Sequence, residues 1–264
     1  MHRNERNPQN ETRRSIMILT ASGLAIAASS AALAMLRRSP RQAETACVAG
    51  VASRKIIILV DHTDPWSPST ATLLTAHLRR IADSAATEER LVMLPFNGNA
   101  ASLPEPVFDR CKPPSTGNLL LDTPQRLTRV HAAQFTTPLL GALEKLASPA
   151  SASRTELVQI MAALATNANL DGSANANSFH VFSDMDENSA GFSFVRKPAQ
   201  SIDRFATHFA GHIGTRLKGI DLNIHVMPPP ASPTRADPRP DPRIERAWRA
   251  AFASHQVRFT WEPL

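Results

Sequence analysis

At 264 residues and a formal net charge of +6, the chain has room for one substantial domain with a full core, or for two small ones. Eight arginines against three glutamates fall in residues 1–54, so the excess of 29 Lys+Arg over 23 Asp+Glu is concentrated there and the remainder is close to neutral. A nucleic-acid binder needs a basic folded face and stacking aromatics. A chain with no Tyr and 5% aromatic residues argues against that partner.

Residues 15–36, SIMILTASGLAIAASSAALAML, carry no charge and are long enough to cross a bilayer, for which roughly 20 apolar residues suffice. Arg13 and Arg14 precede them, which makes residues 1–14 a basic cytoplasmic amino terminus and exports the chain beyond residue 36. Two readings stay open. One is an uncleaved signal anchor in a bacterial inner membrane, single-pass, with the carboxyl-terminal domain in the periplasm. The other is a cleaved export signal releasing a soluble periplasmic protein, since residues 12–17 resemble a twin-arginine motif and Ala32-Leu33-Ala34 suits cleavage. The anchor is preferred, because Arg37 and Arg38 directly after a cleavage point would hinder export.

Residues 37–54 lack apolar periodicity and read as a tether. Cys47 lies in it, and the only other cysteine, Cys111, sits in a proline-rich loop. An even pair in an exported chain points to one disulfide; the alternative is two unpaired thiols.

The domain, residues 55–264, opens with the strand KIIILV, whose run of Ile and Val reads as buried on both faces and therefore central in a sheet. A helix is predicted over 69–86, capped by Ser67 or Ser69, then a strand over 91–95 that ends at the turn Asn97-Gly98-Asn99. Residues 97–124 read as irregular, with 118–121 a candidate short edge strand. A helix over 125–146 should be kinked or divided at Pro138. Helices at 155–168 and 201–217, strands at 178–183 and 222–227, a proline-rich insertion at 228–242, a helix at 244–255 and a strand at 257–262 complete the chain. Alternating strands and amphipathic helices predict an α/β fold, doubly wound, with a mainly parallel sheet and helices on both faces, preceded by one transmembrane helix.

Oxygen-bearing side chains cluster where strands should end: Asp61 and Thr63 after the first, Ser153 and Thr155 before a helix, Asp184 after the strand 178–183. Ligands of open α/β sheets bind at such carboxyl ends, and an all-oxygen set suits a hard cation such as Mg²⁺. Here the sequence resembles the von Willebrand factor A family, and more closely its membrane-anchored bacterial type. The resemblance rests on IIILVDHTDP for the family's D-x-S/T-x-S loop, on SRTELVQIMAAL for the loop bearing its threonine, and on HVFSDMDENS for the strand ending in its aspartate. It implies a Rossmann-like domain that binds another protein and catalyses nothing. Asp61, Thr63, Thr155 (or Ser153) and Asp184 would hold the cation, and an acidic side chain of the protein ligand would complete its shell. The family's second serine falls at Pro65, which has no hydroxyl; Asp64 or Ser67 are the neighbours that would replace it.

Three other readings compete with this one. A metal-free scaffold would use Asp61, Asp64 and Asp184 only as caps and turn residues. A hydrolase would use Asp61 as nucleophile, as in the D-x-D-x-T motif of haloacid-dehalogenase-type phosphatases, but Thr63 stands where the second aspartate is needed. His208 and His212 are spaced like zinc ligands but lack the glutamate of H-E-x-x-H, and no G-x-S-x-G or phosphate-cradling glycine loop is present.

Overall fold

The strand that opens the domain sits in the middle of the sheet. A computed structural model describes residues 42, 44–48, 54–115, 123–148, 151–166, 178–194, 202–228 and 241–264. The expectations for residues 1–41, including the span at 15–36, the edge strand at 118–121, and most of the insertion at 228–242 lie outside the described residues. Among the described residues no helix is long and apolar enough to cross a membrane.

Six strands, β1 (Lys55–Asp61), β2 (Arg90–Phe96), β3 (Phe108–Cys111), β4 (Ser178–Ser183), β5 (Asp221–Val226) and β6 (Arg258–Pro263), form one sheet in the order β3-β2-β1-β4-β5-β6. All neighbours are parallel except β2 and β3. The helices are α1 (Pro68–Ser84), α2 (Pro124–His131), α3 (Thr137–Ala147), α4 (Leu157–Thr166), α5 (Ile202–His212) and α6 (Pro242–Ser254). Successive β1 residues point to opposite faces, and both are covered. Ile57 and Leu59 enter a core with α4, α5 and α6. Ile56, Ile58 and Val60 enter another with α1 and α3. Double coverage is why this strand reads as an unbroken apolar run rather than an alternating one.

Each helix buries the stripe its sequence provides. In α1, Ser67 accepts from Thr70 N at 3.1 Å, Pro68 takes the first turn, and Leu74, Leu78 and Ala82 face inward. Helices α5 and α6 interlock through aromatics, Phe205 on Trp248 at 4.8 Å and Phe209 on Phe252 at 5.5 Å.

Two local outcomes differ from the sequence expectation. The segment expected to be irregular contains β3, a four-residue antiparallel edge strand held by a two-pronged ion pair from Arg90 to Asp109, both bonds 2.6 Å. The long helix divides as foreseen, but through a π-helical turn, Ala132–Thr136, placed just before Pro138. Pro138 has no N–H to donate, and the wider turn lets it fall in the first turn of α3, where that donor is not needed.

The segment read as a tether is partly attached. Cys47 and Cys111 form a disulfide, and Cys111 N donates to Thr45 O at 2.8 Å, so residues 45–47 lie against the outer edge of β3. Residues 41–264 form one compact unit.

Candidate functional site

Strand order changes direction between β1 and β4, since β1 leads on to β2 on one side and has β4 as its neighbour on the other. The connections leave these carboxyl ends on opposite faces, and a crevice forms there. Asp61 ends β1 and Ser183 ends β4. The resulting cleft is lined by Asp61, Thr63, Asp64, Thr70 and Asp184, with Trp66, Met227 and Pro228 among its walls. Its volume of about 20 Å³ has room for one buried water, which needs roughly 10–15 Å³.

Asp61 is 3% exposed and organises the floor. One carboxylate oxygen accepts from Thr63 N at 3.0 Å and from Thr63 Oγ1 at 2.7 Å; the other accepts from Ser183 Oγ at 2.7 Å. Three of about four lone-pair positions are thus used. Ser183 in turn accepts from Met185 N at 2.9 Å, fixing the loop that carries Asp184. Met185 adopts φ 65, and its carbonyl accepts from the buried Trp248 Nε1 at 3.0 Å. The aspartate loop is therefore held in an unfavourable backbone conformation by contacts on both sides.

Both carboxyls of the cleft floor are held above the ordinary carboxylate range. Burial pushes Asp61 up to about 6, against the pull of its Ser183 and Thr63 hydrogen bonds and with a further push from Asp64. Asp184 is raised well above the usual carboxylate range, chiefly by burial and then by Asp186 and Asp61. Two carboxyls that resist ionisation in one small recess fit a cation, whose charge would remove the penalty for both. The donors are all oxygens, as Mg²⁺ prefers. Among the described residues no group of three or more His, Cys, Asp or Glu is disposed to hold a metal; this cleft combines carboxylates with hydroxyls.

Asp61, Thr63 and Asp184 line this one cleft. Thr155 is buried but does not line the cleft; its backbone pairs with Asn188 through N–H···O bonds of 3.1 and 2.8 Å. Ser153 is exposed and lines a separate recess with Arg154 and Asn188. Pro65 lines the cleft without a donor, Asp64 does so with one, and Ser67 is used as the cap of α1.

Other contributors were not apparent in the sequence. Ser183 is one residue short of the expected aspartate and is the direct link between the two strands. Trp66 and His62 pack edge to face at 4.9 Å, and their Nε1 and Nε2 atoms are buried without hydrogen-bond partners. Gly98, visible only as a turn residue, has φ +90; a Cβ there would lie 2.0 Å from Arg154 O and 2.9 Å from Thr63 Cγ2. It lets the loop after β2 pass between the other two.

No family model matches the sequence, and no curated protein is significantly similar to it. Among solved structures, the chain is similar to an aerotolerance-related membrane protein of Bacteroides fragilis, with 12% identity, TM-score 0.39, and coverage of 79% of this chain and 91% of that one. It is also similar to BatB of Bacteroides thetaiotaomicron, with 14% identity, TM-score 0.38, and coverage of 80% and 90%. A third similarity is to the pilus adhesin SpaC of Lactobacillus rhamnosus GG in its open conformation, with 10% identity and TM-score 0.44, over 86% of this chain and 28% of that one.

Proposed function

We propose that residues 55–264 are a von Willebrand factor A-like domain that binds another protein at the carboxyl edge of its sheet, through a divalent cation, with Mg²⁺ the natural occupant. The observation that carries this reading is the placement of Asp61 and Asp184 at the ends of neighbouring strands, around one small cleft. Asp61, Thr63 and Asp184 would hold the cation directly or through water, Asp64 stands where the family serine is missing, and an acidic side chain of the partner would complete the shell. No catalysis is proposed. Thr63 stands where a phosphatase of this loop type would carry its general acid beside Asp61.

The domain would stand outside a bacterial inner membrane, anchored by residues 15–36. The Cys47–Cys111 disulfide supports an oxidising compartment such as the periplasm.

A second reading has its own support. Thr63 and Ser183 already satisfy most of Asp61, and Ser153 and Thr155 stand off the cleft, as in a scaffold that has lost its metal and binds without one. The two part in an affinity capture with the detergent-solubilised full chain. Cation-dependent binding requires captured partners to be released by a chelator and absent with Asp61→Asn; partners retained under both conditions would favour the scaffold.

A further inference from the structure

Beside the acidic cleft lies a recess of opposite character, about 190 Å³ in volume and lined by Ser153, Arg154, Asn188, Ser189 and Ala190, with no acidic side chain in its lining. Its walls are fixed. Asn188 spends its side chain inward, donating to Ser153 O at 3.2 Å and accepting from Ser193 Oγ at 2.9 Å, while Ser189 Oγ donates to Phe192 O at 3.1 Å. Arg154 and Ser153 are the groups that face outward. The Arg154 side chain is 60% exposed and makes one long contact, 3.3 Å, to Glu156, whose other oxygen is held by Ala100 N at 3.0 Å. That contact uses one of the five guanidinium donors.

The recess belongs to the same rim as the cleft. Ala152 N donates to Thr63 O at 2.8 Å, and the Arg154 carbonyl is wedged against Gly98 beside the Thr63 methyl. The loop that carries Arg154 therefore runs alongside the loop that carries Thr63.

We propose that the Arg154 recess is a second anion subsite, taking one carboxylate of an acidic segment of the partner protein while another carboxylate of that segment faces the cation. The choice of an acidic partner rests on the cation reading of the cleft; the Arg154 subsite itself needs no metal. A planar guanidinium engaging a carboxylate with two parallel bonds gives the orientation that one metal contact lacks.

The test is fluorescence anisotropy of a labelled hexaglutamate peptide with the full chain in detergent, in Mg²⁺ and in a chelator. Wild type is compared with Arg154→Gln, Asp61→Asn, and Arg79→Gln, which removes the same charge from α1. Loss of one charge-assisted pair predicts about tenfold weaker binding for Arg154→Gln in both buffers, with Arg79→Gln unchanged. Affinity unaltered by Arg154→Gln, or an equal loss with Arg79→Gln, overturns the subsite. Binding that depends on Arg154 but ignores both chelator and Asp61→Asn upholds the subsite and removes the cation from the account. No binding by wild type overturns both.

Discussion

Burial is the main push that takes Asp61 up from 3.8 to about 6, so folding favours its protonated form relative to the unfolded chain. A carboxyl raised on folding favours the native state below its unfolded value near 3.8, and that contribution is lost as pH rises through about 6. The difference is on the order of 3 kcal/mol as an upper bound. Asp61→Asn removes the titration while keeping the shape. Without divalent cations, the variant is expected to match wild type near pH 4 and to exceed it by about 1–3 kcal/mol at pH 8, read from urea unfolding at each pH. Added Mg²⁺ should then stabilise wild type above pH 6 and leave the variant unmoved. A variant less stable than wild type at every pH would mean that the Thr63 and Ser183 hydrogen bonds outweigh the burial of charge.

At the scale of elements, the rim depends on Gly98 and the β3 edge on the disulfide. Gly98→Ala adds a Cβ at a positive φ and drives it into the Arg154 carbonyl. A loss of at least about 2 kcal/mol is expected, accompanied by weakening of both Mg²⁺ and hexaglutamate binding, because Gly98 lies against Thr63, which lines one recess, and Arg154, which lines the other. Cys47 and Cys111 are 64 residues apart, and closing a loop of that length contributes up to about 4 kcal/mol. Cys47→Ser with Cys111→Ser should lower the unfolding free energy obtained from urea titration by a comparable amount, and a midpoint indifferent to reductant in wild type would contradict that contribution.

These same elements mark where the sequence was legible. Strands β1 and β2 stand out because strands covered on both faces are short runs of apolar residues with little polar interruption, and β4 and β5, in which His or Asn interrupts the run, stand out by their recurring Phe, Val and Ile. Strand β3, Phe-Asp-Arg-Cys, does not: it is a short antiparallel edge whose pairing depends on an Arg90–Asp109 contact that no local pattern announces. Asp61 and Asp184 were readable because strand ends project polar groups over the sheet. Ser183 was not, since its role as the hydrogen-bond link to Asp61 exists only once β4 lies beside β1. Ser153 illustrates the limit in the other direction: a hydroxyl at suitable sequence spacing lines a neighbouring recess because the 151–156 loop is pinned by Thr63, Gly98 and Asn188.

For the whole molecule, acid should be more damaging than its carboxylates alone imply. His180 and His225 meet at 3.0 Å across β4 and β5, with His225 stacked on Phe182 at 4.3 Å. Burial first, then charge from His225 and Arg54, lowers His180 to about 3; burial, then His77 and Arg80, lowers His225 to about 4. His62, buried and donating to the Ser148 carbonyl, is lowered to about 4. Each imidazole stays neutral in the fold but gains a proton in the unfolded chain below 6.5, so its stabilisation is present above 6.5 and is lost as pH falls toward about 4. Asp61 and Asp184, both raised, oppose this, two groups against three. Stability should therefore decline from pH 6.5 to 4, and His225→Phe, which keeps a ring against Phe182, should reduce the slope by about 1.4 kcal/mol per pH unit at most. An unchanged slope would show that the imidazole pair is not neutral in the folded state.

The account stands on one event, the capture of a divalent cation between the ends of β1 and β4. Isothermal titration of Mg²⁺, and of Mn²⁺ as a second probe, into the detergent-solubilised full chain at pH 7.5 measures it directly. Wild type should give saturable one-site heat that Asp61→Asn abolishes; no heat in wild type, or heat that survives the substitution, would contradict it.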